Sequence, residues 1–293
     1  MIKKKQSLVD QTLFTLPALL CFIPIVIIPF LYAIYMSFLR WNGISATKEF
    51  IGLLNFKNIF TNDPEYWQSL WFSIKFTVST TLISNFLGLS LALLVYSLSS
   101  HIQGLFRTLF LLPNVMGGVI MGFIWRFIFQ KVFVAISDFP LLGFLNQSWL
   151  GEPTPAFWSL VIVSVWQYAG YTMIIYIAGL TGIDKDIKEA ARIDGCTSTR
   201  ELFGITLPLI MPSITICIFW VMVKSFTMYD LASALTQGGP YQSTMTVSME
   251  LYAEAFTRNN YGLGSAKALV FFIFILIISF LQVRFTKSRE VDA

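Results

Sequence analysis

The chain has 293 residues, of which 56% are hydrophobic and only 12% charged, with a formal net charge of +4. Soluble domains carry about 25% charged residues, so a bilayer rather than water is the expected surrounding. The small positive excess is spread out and no basic run is interleaved with aromatics, which excludes nucleic acid as a partner.

Lys3, Lys4 and Lys5 precede an apolar run from about Thr12 to Phe38. That run lacks a small-x-small cleavage pattern after a short core, so it reads as a retained helix and not a signal peptide. Pro17, Pro24 and Pro29 are expected to kink it. Further runs of roughly 20 mostly apolar residues put spans at 67–98, 105–129, 156–180, 208–235 and 266–285, six in all. With both termini inside, the inner segments hold eleven Lys and Arg: Lys3 to Lys5, Arg107, Lys185, Lys188, Arg192, Arg200, Arg284, Lys287 and Arg289. The outer segments hold six: Arg40, Lys48, Lys57, Lys131, Arg258 and Lys267. The positive-inside tendency therefore favours N-in, C-in. Lys75 and Arg126 lie near span ends and read as anchors. The outer loops 39–66, 130–155 and 236–265 are rich in Gly, Pro, Asn and aromatics, and are expected to be partly structured. Gly117-Gly118 is expected to serve helix packing.

Between the fourth and fifth spans lies the longest inner connection. Asp184 can cap a short helix whose apolar side carries Ile183, Ile187, Ala190 and Ala191. Gly195, after Asp194, stands where a left-handed residue would end it. Ser198-Thr199-Arg200-Glu201 matches a capping box for a second short helix, and Pro208 falls at the start of the fifth span. The residues alone allow an amphipathic interfacial connector as readily as a docking site.

In the fourth span, Ser164, Trp166, Gln167, Tyr168, Tyr171 and Thr172 form a polar and aromatic cluster that is dense for a lipid-facing helix. Ser164, Gln167 or Tyr168, and Tyr171 share one helical face. They could line a pocket near the midplane or serve helix packing and an interfacial belt. Lys224 and Asp230 are charges in the outer half of the fifth span, where charge is costly and usually functional. Lys224 shares a face with Ser225 and Met228, or could snorkel outward.

Enzyme chemistry finds no support: there is no HExxH or GxSxG motif, and the single histidine, His101, excludes most His-based metal sites. No catalytic or metal-ligating set is expected. Cys21, Cys196 and Cys217 read as free thiols. No phosphate-binding G-x-x-x-x-G-K-[ST] is present, so nucleotide hydrolysis would have to occur on another chain. An ion-coupled secondary transporter remains an alternative, although the spans hold almost no carboxylates, and a non-transporting receptor is another.

Glu189-Ala190-Ala191, three residues, Gly195, nine residues, then Ile205-Thr206-Leu207-Pro208 resembles the EAA motif of ABC importer permeases. Leu235-Thr236-Gln237-Gly238-Gly239-Pro240, Tyr252 to Phe256, and Gly262 to Ala266 are similar to the carbohydrate-uptake permeases of the MalF/UgpA type. The resemblance implies an all-α membrane protein of six transmembrane helices, a type I ABC importer transmembrane domain with a cytoplasmic coupling elbow between helices 4 and 5. It divides the chain into a first helix and loop at 1–66, a five-helix permease domain at 67–286, and a cytoplasmic tail at 287–293. Glu189, Ala190, Ala191, Asp194, Gly195 and Pro208 would couple the chain to an ATPase. By motif alignment, Asn114, Gly118, Ser164, Trp166, Gln167, Tyr168, Tyr171, Lys224, Ser225 and Met228 would line the substrate pathway. Asn114, Ser225 and Met228 depart from the maltose-type residues. The implied partners are a second homologous permease, two ATPase subunits or a homodimeric ATPase, an extracytoplasmic solute-binding protein, membrane lipid and a sugar. No cofactor is expected on this chain; ATP and Mg would sit on the ATPase. Glycerol-3-phosphate or a related ester, with Lys224 as counter-charge, is the alternative substrate.

Overall fold

The computed structural model describes residues 15–139 and 142–290. Lys3 to Lys5, the beginning of the first predicted span at Thr12, and residues 291–293 of the predicted tail lie outside the described residues. The chain is almost entirely helical and clusters into two compact units, one of residues up to 63 with 251–273, the other of 64–250 with 274 onward.

The first unit opens with α1 (Thr15–Met36). Pro24 lies within a π-turn at Ile23–Ile27 and Pro29 at the head of the α-helical stretch that follows, where a ring nitrogen has no proton to give to the helical ladder. Only 6% of its most apolar stretch is buried, so its side chains face outward, as suits a helix in lipid. The loop after α1 then forms a small antiparallel pair, β1 (Leu39–Arg40) with β2 (Glu49–Phe50), followed by α2 (Leu54–Asn62). Asn55, buried at the start of α2, donates through Nδ2 to the Ser37 and Leu39 carbonyls, both at 2.9 Å. The unit is completed by the end of α11 (residues 247–257) and the first half of α12 (Tyr261–Lys287).

At the heart of this unit Lys267 of α12 is 1% exposed and bonded to two carboxylates: Asp63 Oδ2 at 2.7 Å and Glu254 Oε2 at 2.8 Å. Glu254 also accepts from Arg258 Nη1 at 2.7 Å and from Asn260 Nδ2 at 3.0 Å. A buried ammonium is tolerated only when paired and hydrogen-bonded, and two separate segments, the end of α2 and α11, supply that pairing. Lys267, counted above with the outer-loop charges, is therefore an interior residue.

The second unit begins with α3 (Pro64–Tyr96) and is organised around α6 (Pro153–Thr181), 72% of whose apolar stretch is buried. Pro153 at the first position and Gly182 after the last bound α6 as helix-end chemistry dictates. Its longest contact is with α3, along a stripe of buried small and hydroxyl residues that includes Ser69, Ser73, Thr77, Thr80 and Ser84. Thr172 Oγ1 donates to the Ser84 carbonyl at 3.3 Å, and the Tyr176 hydroxyl to Asn85 Oδ1 at 2.5 Å. Apolar clusters lie at both ends of this stripe, one around Phe72, Phe76, Met121 and Leu160, the other around Ala92, Tyr176, Leu180 and Ile210.

Two predicted spans are corrected by the structure. The third, expected as one helix at 105–129, is two: α4 (Ser100–Val115) and α5 (Gly118–Ile136). Met116 and Gly117 between them are extended, with ψ of 133° and 142°. Thus Gly117 marks a chain break and does not serve packing. The fifth, expected at 208–235, bends by 69° between α8 (Ser198–Leu209) and α9 (Met211–Phe226), then breaks again before α10 (Asp230–Leu235). Pro212 in the first turn of α9 is compatible with a helix start but not with continuation from α8. Among the described residues, five helices are long and apolar enough to cross a membrane alone, and α8 with α9 pass the same test as a pair.

The last span was expected from 266 and its helix begins earlier, at Tyr261. The Leu235-to-Pro240 stretch is the turn its residues suggested. Gln237 and Gly238 take positive φ, and Thr244 Oγ1 donates to the Gly239 carbonyl at 2.6 Å. The three cysteines are unbridged.

Candidate functional site

Two features of the second unit could act on other molecules, an exposed elbow and an open cavity. The elbow is α7 (Lys185–Ile193) followed by α8. Asp184 Oδ1 accepts from the Asp186 backbone N–H at 3.1 Å, fixing the approach to α7. Gly195 ends it at φ +76°, with the Cys196 N–H reaching back to the Ala191 carbonyl at 2.9 Å. This is a left-handed C-terminal cap.

The expected capping box does not form. Thr197, not Ser198, is the N-cap of α8, and no side chain caps it. The Glu201 N–H bonds instead to the Thr197 carbonyl at 2.8 Å, so Ser198 is already inside the helix. Pro208 lies not at the start of the membrane-spanning arm but in the last turn of α8, after a π-turn at Leu202–Thr206. Its missing N–H again coincides with the widened turn.

Glu189, Ala190, Asp194 and Gly195 are exposed, whereas Ala191 is buried within the chain. Ile193 is 86% exposed and Phe203 65%, large apolar side chains on an otherwise polar elbow. Beneath the elbow a cavity of about 600 Å³ is lined by residues including Tyr96, Lys188, Glu189 and Glu201. Lys188 Nζ sits 5.1 Å from the Tyr96 ring centre.

The second feature is a cavity of about 410 Å³ walled by α5, α6, α9 and the break before α10. Asn114, Gly118, Gln167, Tyr168, Lys224 and Met228 all line it. So do residues the sequence reading did not assign to a pocket: Trp220, Thr227, Tyr229 and Leu231, with Asp230, which it had noted only as an intramembrane charge. Trp220 and Lys224 are one helical turn apart on α9, and that spacing was the available signal.

The walls are built by the two helix breaks. Gln167 Nε2 donates to the Met116 carbonyl at 3.2 Å, satisfying an oxygen freed by the gap between α4 and α5. Gly118 lets α10 approach, since a Cβ there would lie 2.9 Å from Asp230 Cβ and 3.2 Å from the Leu231 nitrogen. Trp220 is held by the Tyr171 ring stacked behind it at 4.0 Å and by the Tyr168 ring edge-on at 5.4 Å. Asn114 Nδ2 is buried and has no partner among the described residues.

Four expected pathway residues do not line this cavity. Tyr171 supports Trp220 from behind. The Ser164 hydroxyl is buried and donates to Met228 Sδ at 3.9 Å. Ser225, 1% exposed, points away from the face shared by Lys224 and Met228. Trp166 lies on the opposite side of α6, 44% exposed and edge-on to Trp125 at 5.4 Å, in an apolar groove with Leu87, Phe110 and Trp158. Trp166 lies two residues, about 200° of helix turn, before Tyr168, and so falls outside the arc that Gln167 and Tyr168 share.

Several long apolar helices, one of them largely buried, together with an exposed polar elbow and an open polar cavity, fit a multi-pass membrane subunit. Residues 84–291 match the family described as binding-protein-dependent transport system inner membrane component, and the chain belongs to that family. Its members are the membrane-spanning permeases of ABC importers, which sets aside the ion-coupled alternative. The chain is 43% identical over 280 residues to the probable starch degradation products transport system permease protein AmyD of Thermoanaerobacterium thermosulfurigenes, covering 96% of this chain and 94% of that one. A solved bacterial ABC transporter involved in import of the acidic polysaccharide alginate shares its fold, with TM-score 0.83 at 18% identity over 98% and 99% of the two chains. The bacterial alginate transporter in complex with an alginate pentasaccharide-bound periplasmic protein also superposes, with TM-score 0.75 at 19% identity over 97% and 93%.

Proposed function

We propose that this chain is one permease of an ATP-driven, binding-protein-dependent importer that passes a sugar or oligosaccharide across the membrane by alternating access. The observation that carries the reading is the continuity of elbow and cavity. The segment from Gly195 through Pro208 and the bend at Ile210 runs directly into α9, whose Trp220, Lys224 and Met228 form the cavity wall. A push on the elbow therefore moves the wall of the cavity, with no intervening loop to absorb it.

In this reading the elbow lies on the cytoplasmic side and seats in an ATPase subunit, which binds ATP and Mg. Glu189, Ala190 and Asp194 meet the groove, Ala191 secures α7 to the chain, Gly195 sets the turn, and Pro208 joins the elbow to the span. Two such ATPase subunits close on ATP, drawing this elbow and that of a second, homologous permease together. The cavity then opens toward a solute-binding protein outside. Lys224, Thr227 and Asp230 are exposed in the single chain, as expected if the second permease completes the enclosure. Permease AmyD and the alginate transporter both handle carbohydrate by name, and an aromatic wall beside amide and charged groups suits sugar rings and their hydroxyls.

Proteoliposomes holding the two permeases and the ATPase test the reading directly. Uptake of labelled maltooligosaccharide should require both ATP and the binding protein. Uptake that an ion gradient sustains without ATP refutes the mechanism; uptake of glycerol-3-phosphate with no carbohydrate transported refutes the substrate class.

A further inference from the structure

We propose that Lys224 and Asp230 form a charge filter that makes the cavity selective for neutral, hydroxyl-rich solutes over anionic or cationic ones of equal size. This deepens the transport reading above and depends on it.

Both residues line the same 410 Å³ space, on either side of the short non-helical stretch 227–229. Among the described residues neither has an ion-pair or hydrogen-bond partner. The contrast with Lys267 is instructive: that lysine, also on a membrane helix, is fully paired with carboxylates. An intramembrane charge persists only where a partner or water meets it, so these two free charges point to a hydrated, solute-facing wall.

Their opposite signs decide what the wall accepts. A sugar hydroxyl both donates and accepts hydrogen bonds, so neighbouring hydroxyls can give a proton to the Asp230 carboxylate and take one from the Lys224 ammonium. A carboxylate or phosphate ester gains at Lys224 but is repelled by Asp230 within the same small volume, and an amino sugar meets the reverse. Asp230 is the fixed member of the pair, because its backbone is packed on Gly118 at the start of α10. Lys224, on a flexible four-carbon stem, adjusts to the solute. Rejection of anions is therefore the stronger half of the filter. The unpartnered Asn114 Nδ2 and the Trp220 indole add contacts that carry no charge.

The test uses the complex of this chain with its partner permease and ATPase in lipid nanodiscs, without the binding protein, so that only the cavity selects. Equilibrium binding is compared for maltotriose and for the same trisaccharide oxidised to a terminal carboxylate. The wild-type complex should favour the neutral probe. Asp230→Asn should move the ratio toward the anionic probe by about tenfold, the scale of one unit-charge interaction in a hydrated site, and Lys224→Met should move it the other way. Asp230→Glu, which keeps the charge, should preserve the wild-type ratio. Should Asp230→Asn fail to co-purify, Lys224→Glu carries the same test with a larger shift against the anion. A ratio that no variant moves, or that both neutralisations move in one direction, overturns the filter while leaving carbohydrate transport standing. A wild-type complex that binds neither probe, yet imports a non-carbohydrate solute with ATP, overturns both.

Discussion

Replacing Gly195 probes the joint on which the proposed coupling depends. Its φ of +76° lies in the left-handed region, and a Cβ built there would meet nothing within 4 Å. The penalty of a side chain is therefore backbone strain alone: about 1–2 kcal/mol for an ordinary L-residue, least for Asn and greatest for a β-branched one. Little else holds the turn, since α8 has no side-chain cap and α7 is nine residues long. At 1.4 kcal/mol per tenfold, a strain of about 2 kcal/mol lowers the equilibrium constant for forming the elbow roughly thirtyfold. Gly195→Val should thus lose most of the ATPase subunit on affinity purification, or retain it while sugar no longer stimulates hydrolysis. Gly195→Asn should stay near wild type and Gly195→Ala fall between. Equal behaviour of Val and Gly, or Asn as damaging as Val, would refute a role for the left-handed turn.

The Lys267 cluster allows a graded stability test. Lys267→Met removes the 1%-exposed centre and should destabilise the protein by about 3–5 kcal/mol, as for loss of one partner of a buried pair. Arg258→Ala, whose side chain is 37% exposed, should change stability by 1 kcal/mol or less. Melting followed by intrinsic fluorescence in nanodiscs ranks the two, and equal losses would show that the cluster is not a buried network. Trp220→Ala should reduce sugar uptake at least tenfold with assembly intact, while Trp166→Ala, on the other side of α6, leaves uptake unchanged; the reverse pattern would relocate the pathway. Gly118→Val should push α10 off α5 and depress uptake as strongly, whereas unimpaired transport would show that this close approach is dispensable.

What could be read in advance follows physical range. The apolar runs behind the second and fourth spans and the left-handed glycine are local, set by hydrophobicity and by the steric freedom of one residue, and these were legible. The break at Met116-Gly117 was not: apolar residues continue across it, and only the pairing of the Met116 carbonyl with Gln167, from a distant helix, shows why the chain can afford to open there. The capping box failed for a related reason. Thr197 and Ser198 are both competent N-caps, and the spacing to Glu201 favoured the wrong one. Lys267 looked like a surface charge because Asp63 is far away along the sequence and Glu254, 13 residues before it, meets it only once the chain between them has folded back. Trp166 was assigned to the pathway by motif alignment and not by its helical face, and in the structure it lies on the outside of α6, away from the wall that holds Gln167 and Tyr168. Trp220 was missed because an apolar ring in an apolar span carries no mark of what stacks behind it.

The enclosure of Lys267 bears on how the molecule is made. Asp63 leaves the ribosome early, and its counter-ion belongs to the final hydrophobic helix, synthesised long after. The last helix, in turn, can settle at full depth only once both acids are in place to receive its ammonium. The ion cluster is thus assembled from stretches of chain made at different times, and a variant lacking α12 should leave this unit without the ammonium at its centre.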